Sequence, residues 1–332
     1  AHGRSDGLAA PGMSAWKPLT DTRVAMRRAA MLERAREYFS DQGVLAVDTP
    51  ALCRYPTSDP NIESLGVRSQ PGKDGYLHTS PEVCMKRLLS AGYPDIYSVC
   101  RVFRDGEAGK RHLPEFTMAE WYRLNFDLDA IVDDTVGFIA ACVNLPALTE
   151  RVQRIDYAEA FAVLAGVDAL DGATEDIVAA ATSERRLRDA LGDDRDAALD
   201  LIMAEVIAPQ FAPDRLTVVR HYPASQAALS RLCPADARVA DRFEVFCGDL
   251  ELANGYVELT DAGEQRERIA ADIAAREQSG RSSLLADESL LAALEAGLPP
   301  CAGVAVGVER LHMVLDQADD IRDVITFATE TS

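Results

Sequence analysis

Apolar residues recur at helical spacing between Arg23 and Gln42. Val24, Met31, Ala35 and Phe39 fall on one stripe and predict an amphipathic helix. Gly43 stands where a left-handed residue can end it. A short strand, Val44 to Val47, follows and stops before Pro50. Tyr76 to Thr79 reads as a strand after the turn Pro71-Gly72-Lys73-Asp74-Gly75. Ser80-Pro81-Glu82 is a helix start with proline at the first position, and the helix runs to about Ala91. Two strand-like runs, Ile96 to Arg104 and Glu115 to Leu124, flank a polar loop from Asp105 to Pro114. They predict an antiparallel pair. Asp127 to Val143 is helical. From about Leu145 to Arg215 the chain is rich in Ala, Asp and Arg with helical periods, and a helical insertion is expected there. Strand patterns return at Leu216 to His221, Phe243 to Cys247 and Glu251 to Leu259. A charged helix, Asp261 to Gln278, comes next. The end is a strand, Gly303 to Val306, leading through Gly307 into a helix from Glu309 to Leu315. Mostly antiparallel strands with flanking helices indicate an α+β fold and not alternating βαβ units.

Composition narrows the classes. The 332 residues, 48% hydrophobic and 27% charged, suit a folded protein of one large domain or two ordinary ones. No apolar run approaches the roughly 18 residues of a membrane helix. Residues 1–22 are expected to be a leader or appended segment, and 23–332 the folded unit. The net charge of −20 is the reverse of the basic surface that neutralises phosphates, so extensive nucleic-acid binding is not expected. An acidic surface suits a cationic ligand or a protein partner. Cys53, Cys84, Cys100, Cys142, Cys233, Cys247 and Cys301 are scattered, without a CxxC pair. That pattern points to free thiols in a reducing cytoplasm and to no zinc motif. The five histidines form no cluster along the chain, and no His/Cys metal site is expected. Neither GxGxxG nor GxxxxGK[ST] occurs.

Three blocks carry chemistry. The first runs from Arg101 to Tyr122. Strand alternation can aim Arg104, Glu115 and Phe116 at one cleft, with an arginine fork for phosphate or carboxylate and an aromatic face for a purine. Lys110, Arg111 and His112 sit in a loop that can close over a polyphosphate. The second block, Glu244 to Thr260, sets acidic groups among strand formers. Carboxylates suit magnesium, which takes few of them plus substrate phosphates; Glu258 can instead pair with a cationic substrate group. The third block, Gly303-Val-Ala305-Val-Gly307-Val-Glu309-Arg310, ends a strand on glycine and opens a helix with arginine, where anions are welcome. On spacing alone, the first block also reads as a salt-bridged hairpin and the second as a charge-defended edge strand.

Taken together, these blocks resemble motifs 2 and 3 of the class II aminoacyl-tRNA synthetases, and the helix and strand ending at Pro50 resemble motif 1. Glu115-Phe-Thr-Met and Glu251-Leu-Ala-Asn254-Gly…Glu258-Leu-Thr-Asp261 are similar to the lysyl branch. Lysyl-tRNA synthetases carry an N-terminal anticodon-reading domain; here motif 1 begins almost at once, so that domain is expected to be absent. A bare lysyl-type core with Pro223-Ala-Ser225-Gln226 and Asn254-Gly-Tyr-Val-Glu258 resembles the elongation factor P lysyltransferase family. The resemblance covers the chain from about Arg23 to its end.

The resemblance implies an ATP- and Mg²⁺-dependent enzyme that makes an adenylate of (R)-β-lysine, or lysine, and transfers the acyl group to a lysine side chain of elongation factor P. It implies a homodimer through motif 1. Arg104 and Arg310 would be catalytic. Arg104, Asp105, Gly106, Glu107, His112, Phe116, Glu251, Leu252, Gly307 and Arg310 would bind ATP, with Phe116 stacking adenine. Ser80, Pro81, Glu82, Tyr122, Asn254, Glu258 and Ala305 would hold the amino acid, and Glu244 and Glu251 the metal. Two departures stand out. The usual motif 2 glutamate falls on Gly106, with Glu107 next, and Leu113 replaces an amide beside His112. Two alternatives stay open: a truncated synthetase paralogue with another acceptor, and a non-catalytic regulatory binder.

Overall fold

The computed structural model describes residues 16–70, 73–281 and 284–329. Helix α1 (Thr22–Asp41) starts on Asp21, whose carboxylate accepts from the amides of Arg23 and Val24. Gly43 takes the left-handed conformation (φ 69°) that ends the turn after it. Strand β1 (Leu45–Ala46), β2 (Leu52–Cys53), β3 (Gly66–Gln70) and β4 (Lys73–Leu77) precede α2 (Glu82–Ser90). The strand expected over Tyr76 to Thr79 is therefore shifted toward the N-terminus; Pro71 and Gly72 of the expected turn lie outside the described residues. The helix begins one residue later than expected, with Pro81 at the N-cap position, and Ser80 accepts from the Glu82 amide at 3.2 Å. Next come β5 (Ile96–Phe103), β6 (Glu115–Leu124) and α3 (Leu128–Val143).

The stretch expected to be helical contains a strand, β7 (Val152–Asp156), before α4 (Tyr157–Ala160), α5 (Thr174–Ala181), α6 (Arg185–Leu191) and α7 (Arg195–Ile202). Val152 and Ile155 are separated by two polar residues, so the run shows no strand alternation, and pairing with the next strand decides it. The order closes with β8 (Leu216–Arg220), β9 (Leu232–Cys233), β10 (Asp236–Ala240), β11 (Arg242–Cys247), β12 (Leu250–Val257), α8 (Ala262–Gln278), α9 (Glu288–Gly297), β13 (Cys301–Gly307) and α10 (Val308–Asp316). The small strands β2, β3, β9 and β10 and helix α9 were not anticipated from the pattern.

Eight strands make one sheet in the order β1-β5-β6-β13-β12-β11-β8-β7, parallel at its two outer pairs and antiparallel between them. One face packs on α1 and α3. Met31, Ala35 and Phe39 meet Ile131, Phe138 and Ile139, with Trp121 of β6 and Val304 of β13 beneath them. Phe39 stacks on Tyr97 at 4.2 Å between ring centroids. A second core lies among α4 to α7, and a third joins α2, α8 and α9. Of the expected leader, residues 1–15 lie outside the described ones. Leu19 and Thr20 hydrogen-bond the carbonyls of Thr326 and Ile325. Among the described residues no helix is long and apolar enough to cross a membrane.

Candidate active site

The other face of the sheet is the floor of a cleft of about 1350 Å³. Strand alternation selects which residues reach it: Met118, Glu120 and Tyr122 of β6 point in, while Ala119 and Trp121 enter the core. β12 needs a further device. Its register skips Leu252, so that Glu251 faces Phe246 while Ala253 faces Val245. This bulge resets the parity. Glu251, an odd position, thereby shares the cleft with Asn254, Tyr256 and Glu258, while Leu252 and Ala253 both enter the core. The Leu252 side chain is 2% exposed and packs in the core, so the expected ATP contact at this residue falls to its backbone. The middle strand, β13, carries only small residues on this face. Gly303 sits between Tyr256 and Tyr122, Ala305 between Asn254 and Glu120, and Gly307 beside Met118.

One end of the cleft gathers cations. Arg310, in the first turn of α10, donates to the Glu251 carbonyl at 2.9 Å and meets its carboxylate at 3.3 Å. Its Nη2 donates to His112 Nε2 at 2.7 Å. Burial, and then the Arg310 charge, hold His112 below the usual histidine range, so the ring is neutral and free to accept. Arg104 lies over the Phe116 ring at 5.2 Å and reaches Glu107 at 3.5 Å; its Nε is buried without a partner among the described residues. Arg111 pairs with Asp249 at 2.7 Å. Asp105, Gly106, Glu107, Phe116 and Gly307 lie at the margin and not in the cleft lining. Glu115 turns away, toward Arg101 at 3.6 Å. Glu244 faces the same space, held by Arg242 at 2.6 Å. Burial and the neighbouring charge of Glu251 raise its pKa to about 7.

The other end gathers acids. Glu82, Glu120 and Glu258 converge there. Lys86, 1% exposed, pairs with Glu82 at 2.7 Å and with Glu258 at 2.5 Å. Tyr256 donates to Glu82 at 2.7 Å, and Tyr122 to Glu120 at 2.9 Å. Burial, and next the Glu82 charge, push Glu120 up to about 8; burial pushes Glu258 up to about 8 against the pull of Lys86. Although burial disfavours the charge on Lys86, Glu258 and Glu82 hold its pKa above the usual lysine value. Three carboxylates, Glu120 and Glu258 buried and Glu82 half-buried, stand around one ammonium, which leaves an unmet demand for positive charge.

A cationic wall at one end, an acidic pocket at the other and a floor of small residues between them match the sequence motifs in space. Residues 19–331 match the family model described as tRNA synthetases class II (D, K and N). The chain belongs to the class II tRNA synthetase family. Within that family it is 39% identical to the elongation factor P–(R)-β-lysine ligase of Avibacterium paragallinarum over 325 residues, covering 96% of this chain and 98% of the relative. It is 40% identical to the ligase of that name from Mannheimia succiniciproducens over 326 residues, and 37% identical to that of Haemophilus influenzae over 322, each with 96% and 98% coverage.

The class II motifs thus bring Ser80, Pro81, Glu82, Arg104, His112, Tyr122, Glu244, Glu251, Asn254, Glu258, Ala305 and Arg310 to one cleft. Lys86, Glu120 and Tyr256 were not foreseen. Their signals were present: Glu82 and Lys86 are four apart on a helix, and Glu120 and Tyr256 share strand parity with Tyr122 and with Glu258.

Proposed function

We propose that this class II protein activates (R)-β-lysine as its adenylate at the expense of ATP and then acylates a lysine side chain of elongation factor P. The observation that carries the reading is the acidic trio of half-buried Glu82 and buried Glu120 and Glu258 with its single Lys86, set across a small-residue floor from Arg104 and Arg310. A diamino acid answers the charge demand at one end and presents its carboxylate toward the arginines at the other. The names of the relatives supply the isomer and the acceptor.

The substrate carboxylate attacks the α-phosphorus in line and pyrophosphate leaves. Arg104 would hold the α-phosphate and the attacking carboxylate, and Arg310, with the neutral His112 ring, the departing phosphates, as fixed groups that need no rearrangement. Phe116 and Gly307 border the nucleotide. Glu244 and Glu251 would hold Mg²⁺: the Glu244 carboxylate, raised to about 7 by burial and the Glu251 charge, would gain from a divalent ion. When bound, the ion neutralises charge on the transferring phosphates. Glu82, Tyr122, Asn254 and Glu258 hold the amines. No side-chain nucleophile is required, since the acceptor amine attacks the mixed anhydride directly, forming the amide as AMP departs and the amine's proton is lost to solvent. Motif 1 supports a homodimer: Leu45 is an exposed apolar side chain on β1, an edge strand of the main sheet. Such a translation-factor modifier belongs in the cytoplasm. Amino-acid-dependent pyrophosphate exchange followed by acyl transfer to elongation factor P is the test.

A further inference from the structure

Folding brings together a set of side chains that the sequence leaves scattered. His221 follows β8, Cys233 ends β9 and Asp241 joins β10 to β11, and one ligand atom from each lies within 4.8 Å of the others. The ring is oriented for this. Asp156 Oδ1 lies 3.1 Å from His221 Nδ1, which places the ring proton on Nδ1 and leaves Nε2 facing Asp241 Oδ1 at 3.9 Å. Arg231 takes the other Asp241 oxygen at 2.8 Å, fixing the carboxylate with Oδ1 toward the ring. A carboxylate behind a histidine, holding its tautomer, is the usual outer support of a metal-bound imidazole. The backbone of His221 is also unusual: it is left-handed at φ 59°, an uncommon conformation for a side-chain-bearing residue. Its amide donates to the Arg242 carbonyl at 2.9 Å, which locks that conformation in place.

We propose that His221 Nε2, Cys233 Sγ and Asp241 Oδ1 form a zinc-type metal site, separate from the carboxylates Glu244 and Glu251 of the cleft. Nitrogen, sulfur and oxygen donors in threes, with a fourth position for water, suit Zn²⁺ and not Mg²⁺. Binding requires the three atoms to close by about 1 Å to the spacing around a tetrahedral ion, and it releases the Cys233 thiol proton to solvent. The site has a structural purpose in the fold. It ties the end of β8 to the β9–β10 hairpin, and the segment between them carries Tyr222, Ser225, Gln226, Ala228 and Leu229 along the cleft wall. The ion would clamp both ends of that wall.

The test uses the full chain, stripped by chelator and titrated with Zn²⁺ alone, then with Co²⁺ as a spectroscopic substitute. One Zn²⁺ per chain is expected, with a thiolate-to-cobalt charge-transfer band in the near ultraviolet. Cys233→Ser should lose the band, and His221→Asn, which tolerates the left-handed backbone, should lose tight binding. Asp156→Asn should weaken binding by roughly 10–100-fold, the usual effect of removing an outer support. Glu244→Gln should leave Zn²⁺ binding unchanged. The proposal is overturned if wild type shows no thiolate band with Co²⁺, or if Cys233→Ser retains Zn²⁺ like wild type. The wild-type spectrum decides the matter even where a variant folds poorly.

Discussion

Glu120 and Glu258 are buried acids whose pKa values stand at about 8, raised first by burial. At pH 7 the empty pocket therefore keeps protons that free carboxyls would have lost. The folded state binds more protons than the unfolded chain between about pH 4.5 and 8, so these groups stabilise the fold below that window and less as pH rises through it. A ligand with two ammonium groups favours ionised carboxylates and should expel the protons. Calorimetry of (R)-β-lysine binding at pH 7, in buffers of different ionisation enthalpy, is expected to show net proton release; uptake or no exchange would contradict the charge account. Ala305 lies on the floor between Asn254 and Glu120. We propose that its methyl takes space an α-amino group would need and a β-amino group would avoid. Ala305→Gly should narrow the preference for (R)-β-lysine over α-lysine by roughly 10–200-fold, the range for one such group, mainly by improving α-lysine. An unchanged ratio of kcat/KM removes Ala305 as the selector.

At the scale of elements, the strands around the site were legible because they alternate and because Gly and Pro mark their ends. Helices α1, α2, α3, α8 and α10 were legible from period and caps. The bulge at Leu252 was not: nothing in Leu250-Glu-Leu-Ala-Asn254 announces that parity changes there, and only the partner strand fixes it. Leu252 therefore turns into the core while Glu251 reaches the cleft. β7 was hidden because its pairing with β8 comes from outside its own sequence. The metal-type cluster at His221 was invisible for the same reason, since its members are contributed by three separate elements. Gly303 tests the element-level account. A methyl there would stand 2.5 Å from the Tyr122 ring and 2.8 Å from a Glu258 oxygen. Both neighbours are buried and tied, so the strand cannot accept it without moving them. Gly303→Ala should cost about 1–3 kcal/mol of stability and raise KM for the amino acid while KM for ATP stays. Unaltered stability and KM would show that the pocket is looser than its geometry.

For the whole molecule, one sheet divides the work: α1 and α3 cover one face with the main core, and the other face is left open for chemistry. Family membership was legible from three blocks of residues because each is short and contiguous, whereas the acidic pocket is assembled from α2, β6 and β12. We propose the β1 edge, where Leu45 is exposed, as the seat of a second copy. Sedimentation at micromolar concentration should give twice the 36.0 kDa chain mass, and a monomer would refute the dimer. The central claim is that the two ends of the cleft act on one diamino acid and one nucleotide. ATP–pyrophosphate exchange tests it most directly, with (R)-β-lysine and α-lysine supplied separately to wild type and Arg310→Ala. The account predicts exchange that depends on the amino acid, faster with (R)-β-lysine, and lost in Arg310→Ala with the fold retained. Exchange indifferent to either lysine isomer, or undiminished in a folded Arg310→Ala, would contradict it.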